Sequence, residues 1–358
     1  MKQKQQKRAI LIDIIPKDQS IKKAEQDLKE LSSLVKTYGG IVIVNVIQKR
    51  GRPSAKTFLG TGKAQEVAEI AKEEKADMVI VNGLLKPNQV QHLHTLFKVP
   101  VWDRVDLILK IFDKHAKTEE AKMQIELATL KHEFPKLYGL GTRFSRLGGG
   151  IATRGPGEKY LEVQKRHLRA RIKDIENKLS GIRKVHKRQR AVRKRKGLKT
   201  AALVGYTNSG KSTLLKALTK KEKVYVADEL FATLDSKIGD LWLPNLQEKL
   251  LIADTIGFIK DLPPFLIKSF MATLDEVQEA DLLLHVIDCS DADMDEKVEV
   301  VDGILKDLEC KKKPLIYVFN KKDKHLDFVM PKRNAIKISA KNGDGLDKLV
   351  EMIEKAPI

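Results

Sequence analysis

The sequence has almost no cysteine: Cys289 and Cys310 are the two in 358 residues. They cannot build a disulfide framework, and Cys289, inside an apolar run, is expected as a small buried hydrophobe. Long apolar runs are missing too, since no stretch approaches the roughly 20 apolar residues of a membrane span. The start, Met1 to Arg8, carries charge, but Asp13 interrupts the apolar run Ala9–Ile15 behind it, which leaves nothing of signal-peptide length. These absences exclude disulfide-stapled and membrane-spanning classes. A cytoplasmic monomer with no membrane partner is expected.

Charge is abundant. Charged residues make up 32% and hydrophobic residues 42%, the composition of a soluble globular protein. The length predicts two or three domains. Formal net charge is +20 and unevenly placed. From Thr200 onward 22 Lys and 1 Arg stand against 27 acids, so the first 199 residues carry about +24. A basic half joined to a slightly acidic half suggests a polyanion partner for the first. The plainer alternative is a Lys-rich, solubilising surface; the asymmetry favours the polyanion.

Residues 1–117 alternate β-type and helical patterns. The runs Ala9–Ile15, Ile41–Ile47 and Met78–Asn82 are nearly continuous in apolar residues, as in parallel strands buried on both faces. Helical patterns cover Ile21–Tyr38, ended by Gly39-Gly40, then Ala64–Lys75 and Pro87–Phe97. The alternation predicts a small α/β sheet domain. Phe58-Leu-Gly-Thr-Gly-Lys63 lacks the full phosphate-loop spacing and reads as a tight turn.

Residues 118–199 read as two helices. Thr118-Glu-Glu-Ala is a helix start, and Pro135 is expected to close that helix. A glycine-dense loop, 148–157, follows. Leu161, Leu168, Ile172, Ile175, Leu179 and Ile182 then form a coiled-coil seam. Beyond it stand Arg183, Lys184, Lys187, Arg188, Arg190, Arg193, Lys194, Arg195, Lys196 and Lys199 with no acid among them. Ten uncompensated cations favour a polyanion over a merely solvated helix end. With Arg143, Arg146 and Arg154, the glycine loop can approach an RNA backbone. Few aromatics lie nearby, so phosphate and shape contacts are expected rather than base stacking.

The stretch around which the chain is organised comes next: Gly205-Tyr-Thr-Asn-Ser-Gly-Lys-Ser-Thr213, a G-x-x-x-x-G-K-S pattern. It follows the β-type run Thr200–Val204 and precedes the helical Leu214, Leu215, Ala217 and Leu218. Gly205 and Gly210 permit backbone angles that a side chain forbids. The backbone of Tyr206, Thr207, Asn208, Ser209, Gly210, Lys211, Ser212 and Thr213 can then turn toward phosphate. Lys211 is expected at the β- and γ-phosphates, and Ser212 on Mg²⁺.

Downstream, Lys249–Asp254 reads as a strand ending in Asp254-Thr255-Ile256-Gly257, a D-x-x-G. Asp254 suits the Mg²⁺ shell, directly or through water, and the Gly257 N–H suits the γ-phosphate. Pro314–Phe319 leads into Asn320-Lys321-Lys322-Asp323, an N-K-x-D. The Asp323 carboxylate can accept two hydrogen bonds from guanine that adenine cannot offer. Lys321 would lie over the base. Ser339-Ala340-Lys341 follows, and the Ala340 N–H suits the guanine carbonyl. Four motifs in order, each after a strand, point to GTP and GDP as substrate and product, with ATP the alternative. The expected architecture is α/β: a P-loop GTPase domain (200–358) preceded by a small α/β sheet domain (1–117) and a two-helix antiparallel coiled coil (118–199).

The order and spacing resemble the translation-factor-related GTPases, and the resemblance narrows to the HflX family. It is carried by Leu230-Phe-Ala-Thr-Leu-Asp235, Asp254-Thr-Ile-Gly-Phe-Ile259, Phe58–Lys63, Asp103-Arg104, Glu120–Glu126 and Arg154-Gly-Pro-Gly-Glu158. This resemblance implies the large ribosomal subunit as partner, with the helical loop reaching toward ribosomal RNA. It also implies a role in splitting or rescuing ribosomes under stress. The last helix pattern is Leu346–Glu354, and from the resemblance the extra C-terminal domain of longer relatives is expected to be absent.

Thr233 is the expected switch threonine, on Mg²⁺ and the γ-phosphate, with Thr207, Thr219 and Thr255 as alternatives. Lys211, Thr233 and Gly257 are thus the catalytic candidates. Phe258 stands where many GTPases carry a water-orienting Gln, and the phosphate loop has no arginine. Slow intrinsic hydrolysis, raised by a partner in trans, follows. Asn208 suggests a K⁺ beside the phosphates. Two rival functions stay open: a GTPase acting on another RNA, in tRNA modification or ribosome assembly, and an RNA-binding module in which GTP is structural.

Overall fold

The computed structural model describes residues 6–144, 156–219, 231, 237–269, 271–324, 330 and 334–357. Two compact units arise: Met1–Lys114 with Met123–Asn177, and His115–Lys122 with Lys178–Ile358. Among the described residues no helix is long and apolar enough to cross a membrane.

The first unit holds a four-stranded parallel sheet of β1 (Lys7–Ile15), β2 (Gly40–Lys49), β3 (Met78–Val81) and β4 (Val101–Asp103), in the order β2-β1-β3-β4. Ile10, Leu11, Ile12 and the whole of β3 are buried, as strands covered on both faces require. Crossover helices α1 (Ile21–Tyr38), α2 (Thr61–Glu73) and α3 (Pro87–Phe97) separate the strands. Ser20 caps α1 by accepting from the Lys23 N–H, and Gly39 closes it in the left-handed conformation. Gly60 turns the chain into α2, and its N–H donates to Gln48 Oε1 at 2.8 Å, so this turn has a structural task.

Two elements go beyond the sequence reading. β4 is only three residues long, and α4 (Arg104–His115) follows it directly. The start of α4 is a reciprocal cap: the Asp106 N–H donates to Asp103 Oδ1 at 2.8 Å, and the Asp103 N–H donates to Asp106 Oδ2 at 3.1 Å. Helix α5 (Glu119–Phe144) does not stop at Pro135 but runs through it. Proline removes one donor and crowds one carbonyl, which a long helix with a packed face can tolerate. Helix α6 (Pro156–Arg195) lies antiparallel to α5: Lys131 pairs with Glu176 at 2.7 Å, while Arg169 stacks over Phe134, further along α5 and further back along α6. Ile175 and Leu179 of the seam are buried. The glycine loop through Arg154, with Arg146, lies outside the described residues, as do the side chains of Arg143 and Leu161.

His132 and Lys136 of α5 dock on the α4 cap. His132 Nε2 lies 3.1 Å from Asp103 Oδ2 and 3.2 Å from Asp106 Oδ1, and Lys136 Nζ lies 3.0 Å from Asp106 Oδ1. Burial opposes charge on the imidazole, but the bonds to Asp103 and Asp106 outweigh it and raise its pKa to about 9.

The second unit carries a six-stranded sheet, in the order β10-β9-β8-β5-β7-β6. Its elements in chain order are β5 (Lys199–Val204), α7 (Lys211–Thr219), β6 (Lys237–Leu243), β7 (Glu248–Asp254), α8 (Pro264–Ser269), α9 (Met271–Glu279), β8 (Leu282–Asp288), α10 (Met294–Asp307), β9 (Leu315–Asn320), β10 (Ala335–Lys337) and α11 (Leu346–Glu354). All neighbours are parallel except β6 against β7. The core gathers Ala201, Leu203, Leu214, Ile252, Leu284, Val318 and Ile353 between sheet and helices. Cys289 and Cys310 are both buried.

The basic run is not wholly uncompensated. Arg183 grips Asp275 through Nε at 3.0 Å and through its terminal nitrogen at 2.8 Å, while Arg190 and Arg193 reach Glu276 at 3.3 and 3.5 Å. Acids from α9, about 80 to 90 residues away in sequence, neutralise three of the ten cations, which a local charge count could not reveal.

The His132 cluster generates a stability prediction. Its folded pKa of about 9 exceeds the ordinary 6.5, so its contribution is complete below pH 6.5 and is lost as pH rises through 9. Asp13, whose buried carboxyl is pushed up to about 6, titrates below that window. The thermal midpoint of the native chain should therefore lose ground relative to that of His132→Gln across that interval, the opposing change at Lys211, with its pKa of about 8, being common to both.

Candidate functional site

Three loops meet at the carboxyl ends of parallel strands, where open α/β sheets bind ligands. The first is the phosphate loop between β5 and α7. Lys211 is 6% exposed, and its Nζ donates to the carbonyls of Gly205 at 3.2 Å and Tyr206 at 2.8 Å. Burial pushes its pKa down to about 8, with Asp254 pulling it up and Lys321 adding to the fall. The loop thus holds a buried cation that an anion would relieve. Ser212 Oγ donates to Asp254 Oδ2 at 2.6 Å, and Asp254 is fully buried. A hydroxyl and a carboxylate brought together are the hard oxygen donors that Mg²⁺ takes, so the pair fits that ion. Thr213 continues α7 from the loop.

The second loop leaves β7 through Thr255, Ile256 and Gly257. A Cβ on Gly257 would stand 2.8 Å from Thr207 Cα and 3.0 Å from Lys211 Nζ, an approach that only glycine permits. Immediately afterwards the segment joins the phosphate loop. The Thr207 N–H donates to the Phe258 carbonyl at 2.8 Å, and the Phe258 N–H donates to the Gly205 carbonyl at 3.1 Å. The Phe258 side chain is 2% exposed. Among the threonine alternatives, Thr255 Oγ1 donates to the Leu203 carbonyl at 2.7 Å and Thr219 Oγ1 to the Leu215 carbonyl at 2.8 Å, so both tie down their own elements. Thr207 is buried in the phosphate loop. Thr233 lies outside the described residues; of 230–235 only Phe231 is described, and it is buried.

The third loop leaves β9. Asn320 braces it: Nδ2 donates to the Ser209 carbonyl at 2.9 Å, and Oδ1 accepts from the Ala340 N–H at 2.9 Å. Lys321, in the left-handed conformation, donates through Nζ to the Asn208 carbonyl at 2.8 Å and pairs with Asp288 at 2.7 Å. Asp323 stands exposed, and Ser339 Oγ donates to its Oδ1 at 2.6 Å, which holds the carboxyl below the usual range. Lys341 is exposed beside it. Gly210 is the meeting point of first and third loops. Its φ is +95°, and a Cβ there would lie 2.2 Å from Asn320 Nδ2.

The structure thus gathers the described candidates from 205–213, 254–257, 320–323 and 339–341 around one site. Sequence reasoning passed over Asp288, which holds Lys321; an acid at the carboxyl end of a buried parallel strand is the signal that could have found it. It also passed over the Tyr206 hydroxyl, which accepts from the Lys260 N–H at 2.8 Å. Away from this site, Asp103, Asp106 and His132 are close enough to share a metal ion. The Lys136 ammonium and the charged imidazole already balance those carboxylates, so the cluster is an ion-pair joint.

Gly210→Ala should weaken guanine-nucleotide binding by about tenfold or more. A left-handed alanine costs roughly 1–2 kcal/mol before Asn320 is displaced. Calorimetric titration with GDP checks this.

Known proteins place the chain. The family model described as GTP-binding GTPase N-terminal matches residues 25–113, the GTP-binding GTPase middle region matches 115–193, and 50S ribosome-binding GTPase matches 200–321. The GTPase HflX of Caldanaerobacter subterraneus is 47% identical over 97% of this chain and 80% of its own length. That of Escherichia coli is 40% identical over 92% of this chain and 78% of its own. Among solved structures, the GDP complex of SsGBP is 25% identical, covers 98% of both chains and superposes with a TM-score of 0.53. With this much of its length shared at this identity, the chain belongs to the HflX family of GTPases.

Proposed function

We propose that this GTPase binds the large ribosomal subunit in its GTP state and leaves it on hydrolysis, splitting or rescuing ribosomes under stress. The carrying observation is that the phosphate loop and the basic end of α6 share one compact unit. After the arginines paired with α9 are set aside, Lys184, Lys187, Arg188, Lys194, Arg195, Lys196 and Lys199 stand exposed, without a partner among the described residues. Such a stripe suits ribosomal RNA phosphates. The printed description of the family matched over 200–321, a 50S ribosome-binding GTPase, supports the same partner. The setting is the cytoplasm, and the working form a monomer.

Each loop has a role in this reading. The backbone from Tyr206 to Thr213 and the Lys211 ammonium hold the β- and γ-phosphates. Ser212, Thr233 and Asp254 would hold Mg²⁺, Asp254 directly or through water, and the ion would neutralise charge on the phosphate oxygens. The Gly257 N–H meets the γ-phosphate. Asp323 accepts from the guanine ring N–H and amine, Lys321 covers the base, and Ser339, Ala340 and Lys341 close its carbonyl side, with Asn320 bracing the whole. Phe258 cannot orient water. Intrinsic hydrolysis is therefore slow, and a K⁺ beside Asn208 or a partner's cation supplies the missing charge.

Sedimentation with ribosomal subunits tests the proposal, using a non-hydrolysable GTP analogue, GDP and no nucleotide. Co-sedimentation with the large subunit in the analogue alone is expected, and Lys211→Ala should abolish it. Equal binding in all three states would favour a module in which GTP is structural. Binding to another RNA and to no subunit would favour tRNA modification or assembly.

Two further outcomes follow from the base and phosphate contacts. Asp323→Asn exchanges an acceptor for a donor, losing a charged hydrogen bond worth about 1.5–3 kcal/mol, so GTP affinity should fall roughly 10- to 150-fold while xanthosine triphosphate gains. GTP turnover should be faster in K⁺ than in Na⁺ buffer; equal rates would remove K⁺ from the account.

A further inference from the structure

The arginines of α6 that pair with α9 are set apart from the unpaired stripe, and their partners are unusual. Asp275 and Glu276 are adjacent carboxylates on α9, 8% and 9% exposed, flanked by the buried Leu274 and Val277. Two neighbouring charges in that setting persist only with cations against them. The joint has a strong and a weak half. The Arg183 fork on Asp275, at 3.0 and 2.8 Å, has near-ideal bidentate geometry. The bonds of Arg190 and Arg193 to Glu276 are long, at 3.3 and 3.5 Å, and share a single carboxylate oxygen.

Helix α9 is also the first long element after the D-x-x-G loop. That loop is clipped to the phosphate loop through Phe258. The far end of α9 is anchored to β5: the Thr200 N–H donates to Asp281 Oδ2 at 2.8 Å. The 254–258 segment leads into α9 through α8, and the side chains that α9 carries toward α6 are Asp275 and Glu276. Beside the weak half, α6 and α9 enclose an open cleft whose charged lining is Lys187, Arg190, Arg193 and Lys194 with Glu276, Glu279 and Asp281, the last already held by Thr200. Four cations face it, and Lys187 and Lys194 have no partner among the described residues.

We propose that an RNA phosphate seats in this α6–α9 cleft in competition with Glu276 for Arg190 and Arg193, and that this exchange couples nucleotide state to RNA binding. The inference rests on the polyanion reading of α6 given above. With Glu276 against α6, Arg190 and Arg193 are engaged and the cleft holds phosphate more weakly. When the 254–258 segment draws α9 away, Arg190 and Arg193 are released to RNA. Coupling is reciprocal, so RNA in the cleft favours the nucleotide state that withdraws Glu276.

The test measures binding of polyuridylate RNA to the full chain, at one salt concentration, with GDP and with a non-hydrolysable GTP analogue. The native chain should bind more tightly in the analogue state by on the order of fivefold or more. Glu276→Gln removes the competing charge, so it should raise affinity in the GDP state and bring the ratio toward one. Arg193→Ala, which leaves Glu276 its bond from Arg190, should lower affinity in the analogue state and also shrink the ratio. RNA that binds neither nucleotide state of the native chain would overturn the polyanion reading itself. RNA that binds with a nucleotide-dependent ratio unchanged in both variants would overturn the coupling joint alone.

Discussion

Two backbone hydrogen bonds, Thr207 N–H to the Phe258 carbonyl and Phe258 N–H to the Gly205 carbonyl, are the constraint on which the nucleotide site depends. They join the phosphate loop to the D-x-x-G loop as one short ladder. The ladder can close only because Gly257 has no side chain, since a Cβ there would press on Thr207 and Lys211. Closure in turn decides what Phe258 does. With its backbone committed to the phosphate loop and its ring buried, it is an anchor. A residue used as an anchor cannot also deliver water to a phosphate. The proposed dependence on an outside activator would thus follow from how the two loops are held together.

The base-side loop is braced in the same manner. Asn320 bridges the Ser209 carbonyl and the Ala340 N–H, and Lys321 spans from Asn208 to Asp288. Neither residue need touch a base to be indispensable. Each fixes the base-side loop against the phosphate loop, and the proposed reading of the purine by the exposed Asp323 carboxylate rests on that fixed geometry. Such a site is rigid on its base side and joined to a longer element, α9, on its phosphate side. That asymmetry suits the proposed switch, in which the base is read in place while the phosphates act on the segment leading to α9.

Much of this was legible in the sequence, because the chemistry demands fixed residue types after strand ends. Asp254, Asn320 and Asp323 each follow a buried apolar run, and burial on both faces makes such runs conspicuous. Elements specified by contact rather than pattern were not legible. β4 has three residues and no periodicity to detect, although Asp103-Arg-Val-Asp106 carries the cap of α4 in plain view. Pro135 reads as a helix end by local rule, yet tertiary packing carries α5 past it. The arginines of α6 looked free of acids because Asp275 and Glu276 arrive from a distant helix. Spacing also says nothing of Asp288, whose task is to hold another side chain.

The most direct test of the account is GTP turnover by the full chain, in K⁺ buffer, with and without large ribosomal subunits. Slow turnover alone and stimulation by on the order of 10³-fold or more with the subunit is the predicted result, because the buried Phe258 leaves transition-state charge for the partner to stabilise. Rapid turnover by the isolated chain, unchanged when subunits are added, would contradict it.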